Sequence, residues 1–153
     1  MTEPASRAEH VFRVEHAKLW RALFAYTGQP EISSDAVAEA FAQLLSRGDD
    51  VRDASAWVWK AAFQIASGEL KKQARPPATP SADSYYPPET LVDLLAALRR
   101  LGPKQRLAVV LHDYADRPTD EVSRILGVTR GTVHVHLSQG RARLRKLLEE
   151  DDG

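Results

Sequence analysis

Apolar residues recur at helical spacing through most of the chain, and no stretch alternates apolar and polar with the period of two that a strand requires. The first periodic segment covers about Arg7–Thr27, with Val11, Val14, Leu19, Leu23 and Phe24 on one stripe and Gly28 closing it. A second runs from near Ser34-Asp35 to Arg47 and turns Val37, Phe41, Leu44 and Leu45 inward. A polar loop over 48–53 leads to a third helix at about Ser55–Gln73, whose core side is read as Trp57, Ala61, Ile65 and Leu70. The pattern then stops. Gln73–Thr90 holds five of the nine prolines (Pro76, Pro77, Pro80, Pro87 and Pro88), a density that excludes both helix and central strand and favours an extended spacer. Helices resume at about Glu89–Leu101 and Pro103–Tyr114, with Gly102 between them and Pro103 suited to a first turn.

The segment 119–146, TDEVSRILGVTRGTVHVHLSQGRARLRK, is the most informative. Leu126-Gly127-Val128 interrupts one apolar helix with a residue that turns without a Cβ clash. Thr129 offers a hydroxyl cap to the next helix, where Val133, Leu137 and Leu144 recur on one side and are assigned to the core. The other side, at Arg130, His134, Ser138, Arg141 and Arg145, is polar or basic. Such a helix buries one stripe and can offer the opposite one to a major groove.

Charge sharpens this reading. The chain is formally neutral, yet within 124–146 Arg124, Arg130, Arg141, Arg143, Arg145 and Lys146 stand without a single acid. That is an electrostatic footprint for phosphates that the whole-chain balance conceals. A solvated helix end, where cations suit the macrodipole, is the alternative, and the preceding turn motif disfavours it. With no cysteine there is neither a disulfide framework nor a thiolate metal site, as fits a reducing cytoplasm. No apolar run reaches the roughly 18–20 residues that span a bilayer, and MTEPASRAEH lacks the form of a secretory signal. A cytoplasmic protein without membrane insertion is expected.

Catalytic chemistry finds little support. His10, His16, His112, His134 and His136 form no metal-binding spacing, and glycine loops for phosphates or nucleotides are missing. His134 and His136 are two apart, so on a helix they diverge. No catalytic residue, metal or cofactor is expected.

Taken together, the two halves resemble the sigma-70 family of bacterial RNA polymerase sigma factors, in its extracytoplasmic-function (ECF) group. The resemblance rests on Asp35-Ala-Val-Ala-Glu39-Ala-Phe41, on Val51-Arg-Asp-Ala-Ser-Ala-Trp57, and on Leu101-Gly-Pro103 followed by Arg106. It rests also on Leu126-Gly-Val-Thr-Arg-Gly-Thr-Val133 and on Gly140-Arg-Ala-Arg-Leu-Arg145. It implies an all-α protein of two small helical domains: a region 2 three-helix bundle over 1–72 and a region 4 helix-turn-helix domain over 91–148. A Pro-rich linker over 73–90 joins them, and an acidic tail over 149–153 is read as disordered and solvated.

The same resemblance implies the partners. These are core RNA polymerase, through the β′ clamp helices and the β flap, then promoter DNA, and an anti-sigma factor. Asp35, Glu39 and Gln43 are the candidate polymerase-binding residues; Asp35 and Glu39 lie one turn apart, where basic side chains could pair with both. Phe41 is read as core. For the −10 element the candidates are Arg52, Ser55, Trp57, Trp59, Lys60, Phe63 and Gln64, because aromatic faces with a cationic rim can hold an unstacked base. Trp57 and Phe63 fit a bundle core equally well. For the −35 element Arg130, Thr132 and His134 are expected toward base edges, with His136 and Ser138 among the DNA-binding residues. Arg141, Arg143 and Arg145 are expected on phosphates.

Four departures from the family pattern reduce charge or alter a DNA-facing group: Phe63-Gln64 in place of a basic residue and asparagine, Gly68 in place of Asp, Ala38 in place of Gln, and His134 and His136 in place of Lys and Arg. They imply a divergent promoter. They also keep open a sigma-like helix-turn-helix regulator that no longer melts DNA, and a protein-binding scaffold without nucleic-acid affinity.

Overall fold

The computed structural model describes residues 4–73 and 89–152, and among these every regular element is helical. Seven α-helices follow in order: α1 Pro4–Thr27, α2 Pro30–Arg47, α3 Ala54–Lys72, α4 Glu89–Arg99, α5 Pro103–Ala108, α6 Thr119–Leu126 and α7 Arg130–Asp152. A 3-10 turn at Gly48–Asp50 joins α2 to α3, and α5 runs on into a π-helical turn at Val109–Tyr114. The chain forms two compact units, Met1–Ala82 and Asp83–Gly153. Most of the expected linker, and the last residue of the expected tail, lie outside the described residues.

In the first unit α1, α2 and α3 pack mutually around Leu19, Leu23, Ala36, Ala40, Leu44, Val58, Trp59, Ala62 and Phe63, all nearly or fully inaccessible. Gly28 takes a left-handed φ of 67° at the turn after α1. Thr27 and Ser33 are buried beside it and hydrogen-bonded, with the Ser33 hydroxyl donating to the Gln29 carbonyl at 2.9 Å. Buried hydroxyls of this kind are tolerated because their bonds are made. Gln29 and Gln73 exchange amide hydrogen bonds of 2.8 and 3.1 Å, which ties the end of α3 back to this turn.

In the first unit the helical phase departs from expectation at three places. Val14, expected in the core, is 64% exposed, and Leu45 is 51% exposed. In α3 the expected inward residues Trp57, Ala61, Ile65 and Leu70 are half-buried, and the core is made instead by Val58, Trp59, Ala62, Phe63 and Ala66.

In the second unit the π turn and α5 contribute Leu107, Ala108, Val109, Val110 and Leu111 to the core, against Leu95, Leu98, Val122, Val133 and Leu137. Helix α7 crosses α5 at Gly140, where a Cβ would stand 2.9 Å from Val109 Cγ2 and 3.3 Å from the Gln105 carbonyl oxygen. Only a glycine allows that approach. The buried stripe of α7 is Val133, Leu137, Gly140 and Leu147, while Leu144, expected in the core, is half-buried. The expected disordered tail is helical through Asp152. Arg117 and Glu121 form an ion pair with only 14% and 8% of their side chains exposed, its second contact 2.9 Å, pinning the start of α6 to the turn before it.

Candidate nucleic-acid and polymerase interfaces

The helix-turn-helix is built by local chemistry. Gly127 closes α6 with a left-handed φ of 70°, and its N–H caps the Ser123 carbonyl. Thr129 then caps α7: its hydroxyl oxygen accepts the Thr132 N–H at 3.1 Å and lies 2.9 Å from the Thr132 hydroxyl. With Val133 and Leu137 turned inward, Arg130, His134, Ser138, Arg141 and Arg145 are all exposed, as expected.

Four expected DNA-facing groups on α7 are engaged or shielded within the unit. The Thr132 hydroxyl is engaged by Thr129. His136 is half-buried, and its Nδ1 is shielded without a hydrogen-bond partner, so this ring lies on the flank of the helix rather than its crest. Arg143 is exposed and its Nε donates to the Arg100 carbonyl at 3.3 Å. Arg141 is exposed too, yet it forks onto Asp113 with bonds of 2.8 and 2.5 Å. The Asp113 carboxylate raises the Arg141 pKa further above its ordinary value, chiefly through that hydrogen bond. Asp113 carries a negative charge beside the cationic face, a neighbour that no local pattern places there.

In the first unit α3 presents a second surface. Trp57, Lys60 and Gln64 share the face opposite its core, with Lys60 and Gln64 exposed and Trp57 half-buried. The Arg47 guanidinium stands over the Trp57 ring at 5.4 Å, a cation–π arrangement that adds charge beside an aromatic face. Arg52 is exposed in the preceding loop. Trp59 and Phe63, expected at DNA, are corrected: they are 0% and 1% exposed, stacked with centroids 6.0 Å apart inside the bundle. Both rings are unavailable to a base because α3 turns them toward α1 and α2. Ser55 is half-buried and donates to Glu15 at 2.9 Å.

The loop before α3 is held from α1. The Arg7 guanidinium donates to the carbonyls of Val51 and Arg52, the latter at 3.2 Å, and Asp53 caps α3 through the Ala56 N–H at 3.0 Å. Sequence reasoning missed Arg7 and Glu15, since neither lies in a motif.

On α2, Asp35 and Glu39 are exposed and Gln43 is half-buried, all at four-residue spacing on one face, and Gln43 donates to Glu39 at 3.3 Å. Beside this face lies an apolar groove of about 460 Å³ between α1 and α2, lined by Ala8, Phe12, Ala38, Phe41, Ala42 and Leu45 among others. Phe12 and Leu45 remain 42% and 51% exposed there. Among the described residues no three His, Asp or Glu side chains are arranged to hold a metal, and no helix is long and apolar enough to cross a membrane.

Comparison with known proteins places this geometry. Residues 91–144 match the family model for sigma-70, region 4. The chain is 30% identical over 149 residues to the ECF RNA polymerase sigma factor SigM of Mycobacterium tuberculosis, covering 92% of this chain and 76% of that protein. A shorter match, 42% over 59 residues, links it to the RNA polymerase sigma-E factor of Streptomyces antibioticus, covering 39% of this chain and 33% of that one. Among solved structures, the sigma factor RpoE of Bartonella quintana, determined with the anti-sigma factor NepR, superposes with a TM-score of 0.78 at 19% identity. The superposition covers 92% of this chain and 96% of that one. Two helical units, a threonine-capped helix after a glycine turn, and a relative 30% identical over 92% of this chain thus agree: the chain belongs to the ECF group of RNA polymerase sigma factors.

Proposed function

We propose that this sigma factor binds core RNA polymerase through α2, recognises −35 duplex through α7, and helps open the −10 element with the loop and outer face of α3. The observation that carries the reading is the pairing of two DNA-suited surfaces on two separately folded units: Arg130, His134, Ser138 and Arg145 on one, and Arg52, Trp57, Lys60 and Gln64 on the other. Arginines at the rim supply affinity through phosphates, and groups toward the bases supply sequence. The half-buried Trp57 ring, with Arg47 over it and Lys60 on the same helix face, suits a base taken out of the stack.

For polymerase, Asp35 and Glu39 offer carboxylates to a basic partner, and the neighbouring groove with Phe12 and Leu45 offers apolar area to the same contact. The chain performs no covalent chemistry; bond formation belongs to the polymerase. Action in the cytoplasm follows from that partnership. The Bartonella neighbour was solved with an anti-sigma factor, and restraint by a protein of that kind extends to this chain.

Run-off transcription with reconstituted core polymerase tests the proposal. An open complex at a selected promoter, lost in Arg52→Ala with Lys60→Ala, is expected. Duplex binding without any open complex would support a regulator that does not melt DNA.

A further inference from the structure

Helix α7 carries one large apolar side chain on its open side among the described residues. Val135 is 52% exposed, and no other large apolar residue of α7 is exposed among the described residues. Its direction follows from the buried stripe: Val133 and Leu137 are 0% and 1% exposed, and Val135, two residues from each, points to the opposite side of the helix. A lone exposed valine on a protein surface requires no explanation. This one stands on the crest of a cationic helix. Arg130, Arg141 and Arg145 lie around one flank and Arg143 around the other, so Val135 runs between two charged rims, with His134 and Ser138 exposed beside it.

When a helix with that arrangement enters a major groove, the rims meet the phosphate walls and the crest meets the base edges. The groove floor is polar at every base pair save for one group, the C5-methyl of thymine. A branched hydrocarbon on the crest has no hydrogen bond to offer and gains only by covering that methyl.

We propose that Val135 is a specificity-determining residue of the −35 contact and selects a thymine through its C5-methyl, with His134 and Ser138 left to the polar edges beside it. The proposal rests on the −35 role of α7 given above.

The test uses the full chain in holoenzyme with core polymerase. The −35 element is first selected from a randomised duplex library. Each thymine of the selected element is then replaced by deoxyuridine, which deletes the methyl and nothing else. At one thymine, binding weakens roughly fourfold, the worth of one buried methyl-sized group. Val135→Ala shows a similar loss on the thymine duplex and no further loss on the deoxyuridine duplex. A selected element without thymine in either strand, or a deoxyuridine effect of equal size in wild type and Val135→Ala, overturns the proposal. A library that yields no −35 preference at all overturns the −35 role of α7 itself, and this proposal with it.

Discussion

The Glu15 carboxylate on α1 accepts the indole N–H of Trp59 at 3.0 Å through one oxygen and the Ser55 hydroxyl at 2.9 Å through the other. Trp59 is fully buried, so its N–H has no recourse to water if that oxygen is removed. Glu15→Ala should therefore lower stability by about 1–3 kcal/mol, the desolvation cost of an orphaned buried donor. Urea unfolding followed by tryptophan fluorescence measures this; Glu15→Gln, which keeps a carbonyl acceptor, should lose less.

Two glycines inside helices should respond in opposite directions to alanine. At Gly140 the new methyl would meet Val109 Cγ2 at 2.9 Å and the Gln105 carbonyl oxygen at 3.3 Å, so α7 must shift away from α5. Overpacking of that kind costs about 1–3 kcal/mol. At Gly68 nothing lies within 4 Å of the added Cβ. Gly68→Ala should stabilise the protein by up to about 1 kcal/mol through helix propensity. Thermal melting of the two variants checks both signs.

Asp113 should act as a brake on non-specific DNA binding. Its carboxylate forks with Arg141 and places a negative charge beside the reading helix. Asp113→Asn removes the repulsion from phosphate and leaves Arg141 its charge. Binding to random duplex should tighten, with the salt dependence steepening by up to about one unit of log–log slope. Fluorescence anisotropy across a salt series reads this directly.

The exposed His134 should contribute directly to −35 binding and the half-buried His136 should not. His134→Ala should weaken binding to a selected −35 duplex by about 1 kcal/mol, the worth of one hydrogen bond. His136→Asn should leave the affinity in place, because that ring is on the flank with a shielded Nδ1. Fluorescence anisotropy on the same duplex checks both, and a loss with the His136 change alone would reverse the assignment.

The helix-turn-helix was legible because its signals are local: a glycine at the left-handed turn, a threonine cap, and apolar residues three and four apart. Helix α3 was not, since Ala54–Ala66 is apolar at most positions and its periodicity does not choose between neighbouring stripes. Burial of Trp59 and Phe63 was decided by what α1 and α2 bring to them. The same holds for Glu15, a charged residue whose role exists only once Ser55 and Trp59 are folded against it. The π-helical turn at Val109–Tyr114 has no sequence signature, and it sets where Asp113 stands. Asp35, Glu39 and Gln43, proposed for the polymerase contact, were readable as a line on one helix face, whereas the groove beside them needed α1 in place.

The tie from Arg7 to the carbonyls of Val51 and Arg52 spans 44 and 45 residues. Contacts of such separation close after the local helices have formed, because the intervening chain must first give up its freedom. The loop that carries Arg52 is thus shaped only in the assembled bundle, with its carbonyls held from the first helix. Neither α3 with its own loop nor α1 alone contains both ends of that tie, so the position of Arg52 is a property of the whole first unit.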